Sequence, residues 1–358
     1  MDIESKILEG KDLDFKEATY IYKNYDLTRL MWLANEIRKS KLPGNEVGWI
    51  IDRNVNITNV CVARCKFCNF HKTKKEEGTY ITSISEYRNK ILEMKEIGGD
   101  QLLLQGGLHP DLGIEYYAEL FRKLKSEFPD IKLHALGPPE IHYLAKKAKM
   151  SYRDTLLELT SAGLDSLPGA GAEILMDEIR AKISPGKASS DEWLEVMAEA
   201  HKLNIPTSAT MMYGSIEKPE DRIHHLLKLR DLQAKKPEGH HGFITFVPWP
   251  FMAENTRLKK LYPGKYNQSI VEYIKLIAIS RIVLNNIDHL QASWLTVGMS
   301  AAQICLHSGA DDLGSIMIEE NVVSAAGASY RTHADEIQAV IREAGFIPRR
   351  RNQKYETV

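Results

Sequence analysis

The chain has no apolar run approaching the roughly 18 residues that a membrane-spanning helix needs. Its opening, Met1-Asp2-Ile3-Glu4, carries no secretory pattern. A membrane partner is therefore not expected, and a reducing, cytoplasmic setting is. The chain also lacks an excess of either charge: 47 basic residues stand against 48 acidic ones, a formal net charge of −1. That balance argues against nucleic acid as the main partner and leaves room only for local basic pockets. No internal repeat, low-complexity tract or interdomain linker interrupts the sequence. Cysteine is scarce, with four in 358 residues. What is present, 43% hydrophobic and 27% charged residues, is the make-up of a soluble globular protein.

Three of the four cysteines fall together in Cys61-Val62-Ala63-Arg64-Cys65-Lys66-Phe67-Cys68, directly after a strand-like run. Clustered thiols in a chain without secretory features seldom form disulfides, so a metal centre is the natural reading. Structural zinc wants four ligands, and His71 could complete a Cys3His set. Three thiolates alone suit an iron–sulfur cluster that keeps one iron open, whereas electron-transfer clusters usually take four cysteines. Cys305 lies far along the chain in an apolar helical run. Spacing leaves both metals open.

Residues 1–45 show apolar positions at helical spacing, among them Ile7, Phe15, Ile21, Leu30, Leu33 and Ile37, and Pro43-Gly44 ends the set. They read as an N-terminal helical cap. From residue 46 to 358, short apolar runs alternate with helix-period segments, the pattern of β/α units. Strands are expected at 55–58, 101–105, 131–135, 166–167, 207–212, 242–247, 289–292 and, weakly, 312–315. Helices should centre near residues 90, 120, 155, 195, 227, 275, 302 and 340. Eight such units predict an α/β fold, a (β/α)8 barrel of the TIM type with a C-terminal extension. The short, Gly-rich fourth and eighth strands keep a six-stranded partial barrel open.

In such barrels chemistry sits at the C-terminal ends of the strands, and most polar or Gly-rich oddities follow strands. Gln105-Gly106-Gly107 either lets backbone approach a ligand closely or simply turns. His134 is either a hydrogen-bonded core histidine or a barrel-facing general base. Glu140 heads a helix after two prolines, which suffices to explain its charge. Glu173, after the small residues Gly169-Ala170-Gly171-Ala172, could accept two hydrogen bonds from a ribose diol or serve as a helix-start acid. Arg180 and Lys187 could bring a cation to a ligand's carboxylate or lie on the surface. Pro248 and Pro250 are expected to end the sixth strand around Trp249, which is either packing or a wall for an aromatic substrate. Asp312 and Glu319 could meet substrate hydroxyls, or with Asp311 and Glu320 could form an acidic surface loop.

The motif C-x3-C-x-aromatic-C, with Phe67 before the last cysteine, resembles the cluster loop of the radical S-adenosylmethionine (SAM) superfamily. The resemblance implies that Cys61, Cys65 and Cys68 ligate a [4Fe–4S] cluster whose open iron chelates the amino and carboxylate groups of SAM. It implies reductive cleavage of SAM to methionine and a 5′-deoxyadenosyl radical, with an electron donor such as flavodoxin or ferredoxin. It also implies that Gln105, Gly106 and Gly107 lie by the methionyl amino group and Glu173 by the ribose; Arg180 or Lys187, by their distance along the chain, could bring a cation to the SAM carboxylate or to a substrate acid. Gly214 and Glu217 would support adenine, although Thr210 stands where that element has its first glycine. Asn56-Ile57-Thr58-Asn59-Val60-Cys61, Gln105-Gly106-Gly107-Leu108-His109-Pro110, Pro168–Glu173 and Gly314–Asn321 together resemble a narrower group. It contains the menaquinone enzymes of the futalosine pathway and the deazaflavin (FO) synthases. That likeness implies a small-molecule substrate, hydrogen abstraction from it, and carbon–carbon bond formation. His134 would be the base; Trp249, Asp312 and Glu319 would contact the substrate.

Overall fold

The computed structural model describes residues 2–264, 266, 269–319, 321, 325 and 332–358. Three helices open the chain, at Ile3–Leu8, Phe15–Asn24 and Leu27–Lys41, each begun by an aspartate whose carboxylate accepts a backbone N–H of the first turn. Buried polar contacts tie these helices to the barrel. The Tyr22 hydroxyl donates to Glu272 at 2.6 Å, and Arg38 donates to the carbonyls of Glu46 and Ala310, each at 2.9 Å.

Among the described residues nine strands come after them: β1 (Glu46–Ile50), β2 (Asp52–Asn56), β3 (Gln101–Gln105), β4 (Lys132–Ala135), β5 (Thr207–Tyr213), β6 (Phe243–Pro250), β7 (His289–Leu290), β8 (Asp312–Ser315) and β9 (Ile347–Arg350). All pair in parallel: β2 with β3, β3 with β4, β5 with β6, β6 with β7 and β8 with β1. Single bridges close the gaps, His134 to Ser166, Leu167 to Thr207 and Gln291 to Asp312. Counting β1 and β2 as one strand jogged at Ile51, eight strand positions form a closed ring. The fourth, Ser166-Leu167, is as short as its sequence suggests. Helices between the strands, such as Ile84–Glu96, Ile114–Glu127, Ser190–Lys202 and Ile270–Val283, form the outer layer.

Three expectations about strands need correcting. The first strand starts at Glu46 rather than Val55 and stops before Ile57-Thr58. The sixth does not end at its prolines: β6 runs through Pro248 and Trp249 to Pro250, in register with Met211, Met212 and Tyr213. β7 pairs only with Thr245 and Phe246, so beyond Phe246 that side of β6 is an edge, where proline's missing N–H costs no ladder bond. The ninth strand was not expected at all. β9 lies parallel to β1 along Glu46–Trp49 and carries the C-terminal tail with it.

Side chains alternate across each strand. Ile50, Asp52, Asn54 and Asn56 face the barrel interior, as do Leu103, Gln105, His134, Ser208, Thr210, Thr245, Val247, Leu313 and Ser315. The intervening Val55, Leu102, Leu104, Leu133, Ala209, Met211 and Phe246 are buried outside the ring among the helices. The core is thus the layer between sheet and helices. The interior is polar and open.

Candidate active site

A cavity of about 410 Å³ runs from the loops after the strands down into the barrel. Its upper wall is the loop that leaves β2. That loop is pinned at many points: Cys61 N–H donates to Lys72 O at 3.0 Å, Val62 N–H to Leu108 O at 3.0 Å and Lys66 N–H to Ile183 O at 2.8 Å. Cys61, Cys65 and Cys68 are free thiols, all lining the cavity. Cys61 Sγ accepts the Leu108 N–H at 3.3 Å. Burial pushes the Cys65 thiol up to about 12, against the pull of Lys187.

Gly106 and Gly107 sit against this loop. A Cβ on Gly107 would fall 2.2 Å from Val60 O and 2.9 Å from Cys61 Cβ. Glycine here allows β3's end and the cysteine loop to touch backbone to backbone. Gln105, Gly106 and Gly107 all line the cavity.

Glu173 also lines it, 3% exposed, with φ of 43°. The Lys187 ammonium meets its carboxylate at 2.7 Å and lies 5.4 Å from the Phe67 ring centre. Burial disfavours the Lys187 charge, but Glu173 and Cys65 hold it well above its ordinary value. Glu140, fully enclosed in the same wall, has its carboxyl pushed up to about 7 by burial, with Lys187 pulling the other way.

His134 lines the lower cavity. Its Nδ1 is 2.7 Å from Ser166 Oγ, and its Nε2 is 3.4 Å from Gln353 Nε2. Burial, with Arg351 nearby, holds it down at about 3, so its imidazole is neutral at ordinary pH. Trp249 is half-buried on the cavity wall. The floor comes from the tail after β9, where Arg351 and Gln353 reach in. On the floor, Asn54 Oδ1 is buried without a hydrogen-bond partner among the described residues, which leaves it available to a ligand, whereas the Thr245 hydroxyl lies against Tyr355.

Other expected site residues stand behind this wall, not in it. Arg180 spends its guanidinium on the carbonyls of Gly171 (3.2 Å), Ala172 (2.5 Å) and Ala188 (2.5 Å). It braces the turn that presents Glu173. Glu217 accepts the N–H groups of Gly214 at 2.6 Å and Ser215 at 2.9 Å and pairs with Arg222 at 2.9 Å. It closes the turn after β5. Asp312 takes a two-pronged contact from Arg351, both bonds at 2.8 Å. Glu319 binds Arg53 at 3.1 Å, together with Lys90 and Asn321. None of these five, Gly214 included, lines the cavity; Glu320 lies outside the described residues. Lys187, Glu140, Asn54, Thr245, Gln353 and Arg351 do line it. Strand parity could have flagged Thr245, between Ile244 and Phe246, whereas nothing local marks Asn54 or Arg351.

The donor set fits a cluster better than a lone ion. Among the described residues, no three His, Cys, Asp or Glu side chains converge tightly enough to hold one metal ion. His71 Nδ1 lies 2.8 Å from the Cys68 carbonyl. The three thiols instead ring part of a wider space. Residues 55–229 match the radical SAM superfamily, and residues 240–358 match the C-terminal region of CofH/MqnC proteins. The cyclic dehypoxanthine futalosine synthase of Streptomyces coelicolor is 42% identical over 95% of this chain and 84% of its own.

The chain is a radical SAM enzyme of the CofH/MqnC family. The corresponding synthase of Halalkalibacterium halodurans is 38% identical over 99% of this chain and 94% of its own. So, at 38% over 100% and 95%, is the 5-amino-6-(D-ribitylamino)uracil–L-tyrosine 4-hydroxyphenyl transferase of Methanopyrus kandleri. The fold matches methylornithine synthase PylB, with a TM-score of 0.72 at 19% identity over 98% of both chains. It matches equally the hydrogenase maturase HydG of Carboxydothermus hydrogenoformans, with a TM-score of 0.72 at 18% identity over 99% of this chain and 80% of that one. As a family member the protein uses a [4Fe–4S] cluster and SAM, with Cys61, Cys65 and Cys68 as the C-x3-C-x2-C set. No helix among the described residues is long and apolar enough to cross a membrane.

Proposed function

We propose that this radical SAM enzyme converts dehypoxanthine futalosine to its cyclic form in menaquinone biosynthesis. The observation that carries the reading is the likeness, along nearly the whole chain, to synthases named for that product. The cavity that joins the cysteine loop to a polar barrel floor supports it. Bound together, cluster and SAM supply a 5′-deoxyadenosyl radical that takes hydrogen from C4′ of the substrate ribose. After ring closure onto the benzoate, restoring aromaticity would require the loss of a proton and of one electron, for which the oxidised cluster would be the acceptor.

The chain's own residues have defined tasks in this scheme. Glu173, held by Lys187 and oriented by the Arg180-braced turn, offers a carboxylate to the SAM ribose diol. Lys187, inside the cavity where Arg180 is not, offers the cation for the methionyl carboxylate. Gln105, Gly106 and Gly107 hold backbone beside the cluster loop for the methionyl amino group. Trp249 presents an aromatic wall to the benzoate ring, and the closed barrel keeps water from the radical. His134 is positioned to take the released proton. Its depressed basicity is not an obstacle, because electron loss before deprotonation makes that proton strongly acidic.

The 38% identity with the tyrosine-using transferase favours a second reading, coupling of L-tyrosine to 5-amino-6-(D-ribitylamino)uracil. Anaerobic incubation with each substrate set, SAM and reductant separates the two. The first reading requires a product lighter than dehypoxanthine futalosine by a pair of hydrogens. Turnover of only the tyrosine set would replace it with the second.

A further inference from the structure

The cluster loop has an outer face as well as an inner one, and three chain segments meet there. Lys66 N–H donates to Ile183 O at 2.8 Å, and Leu258 N–H donates to Lys66 O at 2.7 Å. Gly186 packs so tightly on Ala63 that a Cβ would stand 2.5 Å from the Ala63 carbonyl oxygen. The end of helix Asp177–Ile183, the start of helix Arg257–Leu261 and the loop itself are therefore joined by backbone.

Each segment brings basic side chains to this junction: Arg64 and Lys66 from the loop, Lys182 from the first helix, and Arg257, Lys259 and Lys260 from the second. All are exposed except the half-buried Lys66. None makes an ion pair with a described residue. Some basic surface residues elsewhere do find an acid, as Lys123 does in Glu119 at 2.6 Å and Arg122 in Glu158 at 2.6 Å; what sets this junction apart is the number of cations that three segments bring together. The same three segments hold only Asp177, Glu178 and Glu254 as acids, and the Asp177 carboxylate is occupied by the Ser190 N–H at 2.7 Å. In a chain of formal net charge −1, this excess is local. Cys65 and Cys68 flank Lys66 and Phe67 in the chain.

We propose that this face is the docking site for an acidic protein that carries single electrons on a flavin or iron–sulfur centre. The proposal deepens the radical reading above and rests on it. Charge complementarity picks out the partner, because an acidic surface meets six cations that make no ion pair with a described residue, at the junction built on the loop that carries the three cysteines. One electron leaves the carrier's reduced centre and enters the cluster. The carrier is oxidised, the cluster reduced, and no covalent bond forms or breaks. Unpaired cations on such a face steer encounter more than they add affinity, so the effect is on rate and is sensitive to salt.

The test uses the reconstituted full-length enzyme and follows 5′-deoxyadenosine formation with either reduced flavodoxin or dithionite. The charge-reversed variant Lys182→Glu/Arg257→Glu/Lys259→Glu should lose roughly tenfold or more of the flavodoxin-supported rate at low salt. It should keep the wild-type rate with dithionite. The neutral Gln triple variant should fall between, and added salt should narrow the gaps. Wild-type flavodoxin-supported rates in the Glu variant would overturn the proposal, as would equal loss with both reductants. Salt-sensitive capture of an RNA oligonucleotide in preference to flavodoxin would overturn it as well. Failure of the unmodified enzyme even with dithionite would strike at the radical reading itself, a separate result.

Discussion

Replacing Gly107 with alanine should damage cluster loading far more than the same change at Gly106. A Cβ at 107 would meet Val60 O at 2.2 Å, Val60 C at 2.7 Å and Cys61 Cβ at 2.9 Å. An ordinary carbon–oxygen contact needs about 1 Å more than the first of these. Little there can yield, because two of the three atoms are backbone and the third belongs to a cluster ligand. Moving the strand end away would stretch the Gly107 N–H to Thr58 O bond (2.8 Å) and the Leu108 N–H to Cys61 Sγ contact (3.3 Å). At 106 the nearest atoms stand at 3.1, 3.2 and 3.3 Å, a squeeze of tenths of an ångström. Overpacking of the first kind costs on the order of 1–3 kcal/mol; the second should cost well below that. The assay pairs urea unfolding of the apoprotein with iron, sulfide and 400 nm absorbance after anaerobic reconstitution. G107A should lose stability and most of its cluster, while G106A stays near wild type. Equal cluster content in the two variants would refute the argument that close backbone approach shapes the cysteine loop.

Three further outcomes can be checked. Removing one partner of the Glu173–Lys187 pair strands a buried charge, which costs about 3–5 kcal/mol in a sealed site. With the Lys187 side chain 20% exposed, roughly 2 kcal/mol is expected. A double-mutant cycle of Glu173→Gln and Lys187→Met should show coupling in urea melts and a raised KM for SAM; strictly additive costs would dissolve the pair. His134, His201 and His225 are each held at about 3, in the first place by burial. Their folded values lie below the usual 6.5, so the stability they contribute is complete above 6.5 and is lost as pH falls from there towards 3. Three protons taken up on unfolding give a slope of up to about 4 kcal/mol per pH unit, and His134→Gln should lower it by one proton's share. An unchanged acid limb would mean that His134 is not buried neutral. Alanine at Cys61, Cys65 or Cys68 should abolish SAM cleavage, whereas Cys305→Ala, in the helix-packed core, should cost stability but leave cleavage intact. Retained cleavage in any of the first three would remove that residue from the ligand set.

Much of this site is written locally, and the rest depends on partners far apart in the chain. The three cysteines and the glycine pair announce themselves by spacing after a strand, and the facing of β5 follows from Ser208 and Thr210 alternating with the apolar Ala209 and Met211. Thr245 was recoverable by parity, since it stands between Ile244 and Phe246 on β6 and a polar residue so placed on a barrel strand faces inward; Asn54, with Arg53 beside it, was not. Glu217, Asp312 and Arg180 look like site residues in sequence because a charge after a strand has no visible partner. Their partners, Arg222, Arg351 and the backbone of Gly171-Ala172, are set by tertiary packing. Arg351 itself was hidden because Ile347-Pro348-Arg349-Arg350 has none of the apolar alternation of a strand, yet it pairs along β1 and turns the tail under the barrel. Trp249 lines the cavity from the C-terminal end of β6, and that strand continues through its flanking prolines because β7 has already ended.

The central claim is that three thiols at the mouth of the barrel hold a cluster that cleaves SAM. The most direct test is 5′-deoxyadenosine formation by anaerobically reconstituted protein under strong reduction, with metal content and visible absorption measured on the same sample. A brown protein absorbing near 400 nm that releases 5′-deoxyadenosine and methionine in equal amounts is the predicted result. A colourless protein carrying stoichiometric zinc and releasing neither would contradict it.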